Sequence, residues 1–422
     1  MSILGKLVSM KYLISILVFV IVLTPQFKGL SLPIRLEDSI IFLALLLILI
    51  LDKFKLNIDK NFKSIIIFFI LFIVLNFISL SIAVFQGYQS NIRDYNTILL
   101  YVKSITFLVS GYLIGQRLTH ISQNKIIFYF TTPIIISSIL AIIQYYDIAG
   151  LQHLAYSFYD DGSYKLSRAI GAMGNPNYAA YYHGVAFLIL LSLNPSTHRL
   201  KNLKYLLLVI TFLSVMITFS RTGIIALLIS WAFHLTVNKK IKSFIIGVFM
   251  FFIVITVYLD KIIKGTRFEL ILLDSSSQIS SFGGRSDLIW KSRLDQFLSS
   301  PFFGSGPGKN TASNTIFGSA IYDNTYILLL VTSGILGFLS YMYIVFRFIN
   351  YDLFRIPKVS DDNEKYIKTI SAVGIYTLLF FFTVDLVWNV KFVSYFYLLT
   401  GFYMSYIYHQ TSLYTTKNKK AD

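Results

Sequence analysis

The sequence contains no cysteine. Disulfides, thiolate metal sites, iron–sulfur clusters and cysteine nucleophiles are therefore excluded. Charge is scarce as well. Only 14% of the 422 residues are charged, against roughly 25% in a soluble domain. Acids are the rarer sign, with 20 Asp and Glu against 37 Lys and Arg. Six histidines are scattered without ligand-like spacing, and HExxH, GxxxxGK[ST] and a helix-opening GxGxxG are all missing. These absences argue against nucleotide-driven pumping and against a structural zinc site.

What the chain has in excess is apolar surface. Hydrophobic residues make up 55% of it. Runs of about 20 such residues recur along the whole length, which is the mark of membrane-spanning helices. The pattern predicts an all-α, polytopic membrane protein with one helical domain over 1–422. Spans are expected near 8–25, 38–52, 64–85, 97–115, 126–147, 177–193, 203–219, 222–237, 241–259, 324–349, 367–387 and 392–409, about twelve in all. The opening MSILGKLVSMKYLISILVFVIVL lacks a small-residue cleavage site and reads as a basic lead and a retained first span.

Basic residues set the orientation. Lys53, Lys55, Lys60 and Lys63, then Arg117 and Lys125, then Arg199, Lys201 and Lys204 fall in alternate loops. So do Lys239, Lys240 and Lys242, and Arg355, Lys358, Lys365 and Lys368. The positive-inside rule makes that side cytoplasmic, together with both tails. The net charge of +17 is thus explained by the lipid bilayer as partner, and nucleic acid is not expected. Two long segments fall on the outer side, about 148–176 and 260–323. Long loops of this kind are more often functional than incidental. No short-period repeat is found.

One outer turn stands out. The apolar run 203–237 would be about 50 Å long as one helix, against a hydrocarbon core of about 30 Å. It must be two spans, and Ser220-Arg221-Thr222-Gly223 is its polar interruption. Arg221 then sits where two helices meet the outer interface. It is either a snorkelling arginine that marks the interface or an anion site. A guanidinium keeps its proton and grips two phosphate oxygens at once, and a helix N-terminus beside it adds amide donors. Arg285, Arg293, Asp323, Asn324 and Asp385 are expected on the same side. In the stretch 281–310, Leu288, Ile289, Leu294 and Phe297 are expected to face the membrane. Arg285, Asp287, Lys291, Arg293 and Asp295 are expected to face water or a substrate, ahead of a breaker loop at Gly304, Gly306, Pro307 and Gly308. A structural salt-bridge set is the alternative. Tyr156, Phe158, Tyr159, Tyr164, Tyr178, Tyr181 and Tyr182 cluster around the first long loop, either to stack on sugar rings or as ordinary interface aromatics.

Three pieces in order, FSRTG, GRSDLIWKSRLDQFLSSPFFGSGPG and DNTYILLLVTSGILGFLSYMYIVF, resemble the O-antigen ligase and polymerase family of bacterial envelope enzymes. GAMGNPNYAAYYHGVAFLILLSL resembles that family's Gly…Asn-x-x-Ala segment. The resemblance spans about 150 residues, 171–348. It implies a bundle of the GT-C type and transfer of a glycan from an undecaprenyl-diphosphate carrier to an acceptor hydroxyl, the growing glycan for a polymerase. The reaction would run on the outer face of the bacterial cytoplasmic membrane without a metal or other cofactor. A flippase and a chain-length regulator would be its partner proteins. Arg221 and Arg285 would bind diphosphate. Asp323 stands where ligases of the family carry histidine, and would act as general base or orient a sugar hydroxyl. Asn324, Arg293, Asn177, Asp385 and Tyr181 would contact substrate. The histidine's loss favours a polymerase over a ligase.

Two rivals come from other classes. A lipid-linked saccharide transporter would show paired broken helices and mid-membrane charges. A metal-dependent GT-C transferase would use acids in the first outer loop, where Glu37 and Asp38 lie.

Overall fold

A computed structural model describes residues 3–24, 35–51, 58–159, 168–239, 290–307, 324–353 and 361–418, together with Lys242 and Ile245. Every regular element among them is helical. The chain runs α1 (Ile3–Leu23), α2 (Leu36–Leu51), α3 (Lys60–Phe85), α4 (Ile92–Arg117), α5 (Gln123–Tyr145), α6 (Leu151–Tyr159), α7 (Pro176–Leu191), α8 (His198–Met216) and α9 (Arg221–Val237). It continues with α10 (Lys291–Ser299), α11 (Thr325–Leu353), α12 (Asp361–Phe381) and α13 (Val390–Asn418). Of the expected span 241–259, only Lys242 and Ile245 are among the described residues.

Four of the described helices are long and apolar enough to cross a membrane: Lys60–Phe85, Asp94–Arg117, Gln123–Tyr145 and Thr325–Ile349. That is fewer than the twelve expected. Part of the shortfall has a physical cause in α13. Its residues 391–407 are all buried, so protein and not lipid surrounds it. A helix in that position can carry tyrosines whose hydroxyls find partners inside. Tyr397 donates to the Tyr341 hydroxyl at 2.7 Å, and Tyr395 to the Phe130 carbonyl at 3.3 Å.

The interior is organised around two helices. α7 is buried along nearly its whole length and packs against α5, α8, α9 and α12. It starts cleanly, with Asn175 as N-cap accepting from the Asn177 amide and Pro176 in the first turn. α13 packs against α4 more extensively than any other described pair. Gly111 and Gly115 on α4 lie against the Leu398 and Phe402 carbonyls, and Gly401 lies against that of Leu108. A Cβ at any of the three would collide with backbone, so the small residues are what lets the two helices approach.

Two irregular segments enter the bundle from the end that carries Arg221. Residues 168–175 reach Ser137 and Gln144 on α5. The Gly171 amide donates to Gln144 Oε1 at 2.8 Å, and the Ala172 amide to Ser137 Oγ at 3.0 Å. Residues 300–307 close a break in α11 at Gly334, whose backbone is non-helical (φ 65°, ψ −173°). The Ser305 amide donates to the Val331 carbonyl at 2.8 Å and the Ile335 amide to the Pro301 carbonyl at 2.8 Å. Ser79 on α3 joins them, accepting from the Gly306 amide and donating to the Thr332 carbonyl, both at 2.8 Å. Backbone without helical bonds is stable at membrane depth only where protein supplies its partners, and here both segments are supplied. The sequence marked Gly304 and Gly306 as breakers. It gave no sign that they plug a helix.

Candidate functional site

Arg221 is the first residue of α9. Ser220 caps the helix, its hydroxyl accepting from the Gly223 amide at 3.2 Å. The α8–α9 connection is the short turn 217–220, in which Phe219 adopts a left-handed backbone (φ 49°). The single apolar run is thus two helices hinged at the polar interruption, as its length requires.

Neighbouring segments fasten this turn. Arg168, buried at the head of the first inward segment, donates Nε to the Thr218 carbonyl at 2.7 Å. Its Nη2 donates to Asn177 Oδ1 at 3.2 Å, and the Ser220 hydroxyl donates to the same oxygen at 3.1 Å. The Ala169 amide donates to the Ile217 carbonyl at 3.1 Å. On the far side of Arg221, the Thr222 hydroxyl accepts from Thr383 at 2.6 Å. Thr383 lies in the non-helical stretch after α12. Two residues on, Asp385 Oδ1 accepts the Asn324 amide at 2.9 Å. Asn324 caps α11 in turn, taking the Tyr326 and Ile327 amides at 2.9 and 3.1 Å.

A chain of polar contacts therefore runs from Arg168 through Asn177 and Ser220, past Arg221, to Thr222, Thr383, Asp385 and Asn324. It draws the N-terminal ends of α7, α9 and α11 to one end of the bundle. Each end carries about half a positive charge. With Arg168 and Arg221 among them, the cluster favours an anion.

Of the residues expected at the site, Arg221, Asn177, Asn324 and Asp385 come together in this chain. Arg285 and Asp323 lie outside the described residues. Three expectations are corrected. Asp385 is not inside a helix, because α12 ends at Phe381 and Asp385 precedes the short 3-10 turn Leu386–Trp388. Tyr181 is a core residue and not an outer-loop aromatic. It is 1% exposed, ringed by Tyr376, Phe380 and Phe392, with its hydroxyl 2.8 Å from that of Thr377. Arg293 faces inward, 7% exposed, donating to Gln296 at 3.3 Å; Gln296 donates on to Ser305 in the segment that plugs α11. That segment's polar contacts draw the arginine in and leave Leu294 and Leu298 outside.

Arg168 is the functional candidate that the sequence reading missed. The signal was an arginine at the head of AIGAMGN, residues 169–175, a run of small and apolar residues in a loop. Such a run packs inward, and it carries the preceding cation with it.

Glu37 and Asp38, expected in the first outer loop, lie in the first turn of α2 and are paired with cations. Glu37 Oε1 lies 3.1 Å from Arg35 Nε, and Asp38 Oδ1 lies 2.6 Å from Lys103 Nζ. Asp38 Oδ2 also takes the Arg35 amide at 2.7 Å. Among the described residues, no group of three or more acids and histidines that could hold a metal ion is found. The tyrosines from Tyr156 to Tyr164 lie outside the residues whose side chains are described. Tyr182 is buried in the core and Tyr178 partly so.

No curated protein matches this chain. A family model does match, over residues 206–342. The match takes in most of α8, all of α9 and α10, the plugging segment 300–307 and α11 as far as Met342. That part of the chain, which carries Arg221 and Asn324, is similar to the O-antigen ligase family.

Proposed function

We propose that the protein is a polysaccharide polymerase. It transfers a glycan from an undecaprenyl-diphosphate carrier to the hydroxyl of a growing glycan, on the outer face of the bacterial cytoplasmic membrane. The observation that carries this reading is the polar chain around Arg221, whose members Ser220, Arg221, Thr222 and Asn324 lie within the segment that matches the family. The acceptor oxygen attacks the anomeric carbon from the face opposite the diphosphate. The C1–O bond breaks, its electron pair leaves with the diphosphate, and the anomeric centre inverts. The hydroxyl proton passes to Asp323. Arg221, with Arg285, meets the charge that develops on the leaving group. Removal of one such preorganised donor costs about 10²–10³ in kcat. Asn177 and Arg168 hold the turn that presents Arg221. Asp385 aligns the start of α11, beside which Asp323 stands in sequence. Transfer to a different acceptor, as by a ligase, would use the same donor site.

The broken helix α11 favours an enzyme over a transporter. Transporters leave such breaks open for ions or substrate, whereas here the backbone of 300–307 fills it.

The test is reconstitution of purified protein with a short lipid-diphosphate-linked repeat unit in the presence of EDTA, with products resolved by length. A ladder is expected. Arg221→Lys should fall by about 10²-fold, because a point charge does not replace a bidentate fork. Polymer of normal amount and length from Arg221→Lys would overturn the diphosphate assignment.

A further inference from the structure

At the end of the bundle opposite Arg221, a cavity of about 250 Å³ opens between the end of α7 and the first turns of α8. Three lysines line it, Lys201, Lys204 and Lys365, with Ser192, Asn194 and Tyr205, and among the described residues no carboxylate does. Lys204 is the least exposed of the three. Its Nζ donates to the Leu191 and Leu193 carbonyls at 2.8 and 2.7 Å, satisfying groups that the end of α7 leaves open. Its positive charge stays in the cavity. Glu364, next to Lys365 in sequence, is turned to Lys368 at 2.6 Å. The cavity thus concentrates cations and offers hydroxyl and amide groups, which is the chemistry of a phosphate-binding site.

What lies above it on α8 identifies the occupant. Lys201, Tyr205, Val209 and Leu213 follow one another at a spacing of four and share one face of the helix. Tyr205, Val209 and Leu213 are 55%, 53% and 48% exposed, and Leu206 beside them is 57% exposed. The stripe runs from a cation through a phenol to bare aliphatics. From Lys201 to Leu213 it rises about 18 Å, comparable with one leaflet of about 15 Å of hydrocarbon plus its headgroup layer. A free phosphate would use the lysines and leave the stripe idle. We infer that this is a binding site for an anionic phospholipid, with the phosphodiester among Lys201, Lys204 and Lys365 and an acyl chain along Val209 and Leu213. Basic pockets between helices at the cytoplasmic interface hold such headgroups elsewhere.

The experiment uses the full chain, purified in a zwitterionic detergent. Dioleoyl-phosphatidylglycerol is titrated in, and the unfolding temperature is read at each concentration. Dioleoyl-phosphatidylcholine and inorganic phosphate are titrated separately. Phosphatidylglycerol alone should give a saturable rise. In K201Q/K365Q its midpoint should move to about 25-fold higher concentration, roughly fivefold per lysine removed. K201R/K365R keeps the charge and should titrate as the parent does. Lys204 is left in place because it closes α7. An equal rise with phosphatidylcholine would overturn the headgroup assignment, and an equal rise with phosphate would overturn the lipid. An unmoved midpoint in K201Q/K365Q would overturn the site itself.

Discussion

Gly334→Ala tests the plugged helix. At φ 65°, ψ −173° only glycine is at ease, and an alanine there costs about 1–3 kcal/mol in backbone strain alone. Its Cβ would also run into the Phe302 carbonyl and the Phe303 amide, which belong to the plugging segment. The segment must then withdraw. Four backbone bonds hold it to α11: Ser305 to Val331 at 2.8 Å, Gly306 to Thr332 at 3.3 Å, Ile335 to Pro301 at 2.8 Å and Leu336 to Phe302 at 3.4 Å. At about 1 kcal/mol each, their loss brings the total to about 5 kcal/mol or more. Gly87→Ala is the matched control. Gly87 also has positive φ, 89°, but open space surrounds it. That change should cost only about 1–2 kcal/mol. Both variants would be purified in detergent and heated, and the surviving monodisperse fraction measured by size exclusion. Gly334→Ala should be lost at a clearly lower temperature. Equal survival of the two would refute the claim that 300–307 is part of the folded bundle.

Arg168→Gln should keep the fold in detergent yet lower transfer by about tenfold or more, through a lower kcat at little changed KM for the donor, since it loosens the turn rather than the contact itself. A change in KM alone would show that Arg168 does not act by positioning. Asp385→Asn keeps an oxygen for the Asn324 amide, so the unfolding temperature should hold while Asp385→Ala lowers it by leaving a buried N–H unpaired, at about 1–3 kcal/mol. Identical melting of the two would remove Asp385 as the anchor of α11.

The sequence made some of this legible. The split at Ser220-Arg221 followed from length, because no 50 Å helix fits a 30 Å hydrocarbon core. Asp385 was less accessible, since TLLFFFTVDLV is apolar throughout and nothing in it marks where hydrogen bonding stops. Gly334 was harder still. Glycine in an apolar run is usual in membrane helices, Gly337 continues the same helix without a break, and what opens the helix at Gly334 is a partner from 300–307. Tyr181 failed for the opposite reason. A tyrosine near an outer loop looks like a sugar platform, but α7 packs against four helices and its Tyr181 and Tyr182 are buried in protein. Arg168 was hidden because its partners, the Thr218 carbonyl and Asn177, lie 50 and 9 residues away in sequence. Long-range backbone contacts leave no trace in local pattern.

Lys391 near the start of α13 places its ammonium between the Val22 carbonyl, at the end of α1, and the Ala172 carbonyl, in the first inward segment, at 2.9 and 2.5 Å. Val22 precedes Lys391 by 369 residues. At the usual pace of synthesis, about 20–70 s separate the two on the ribosome. For that interval the Val22 carbonyl precedes the ammonium that will meet it, and the Ala172 carbonyl does so for the last 219 residues. The bundle is therefore closed by a late arrival, and the earliest helix reaches its final bonding only when nearly the whole chain is in place.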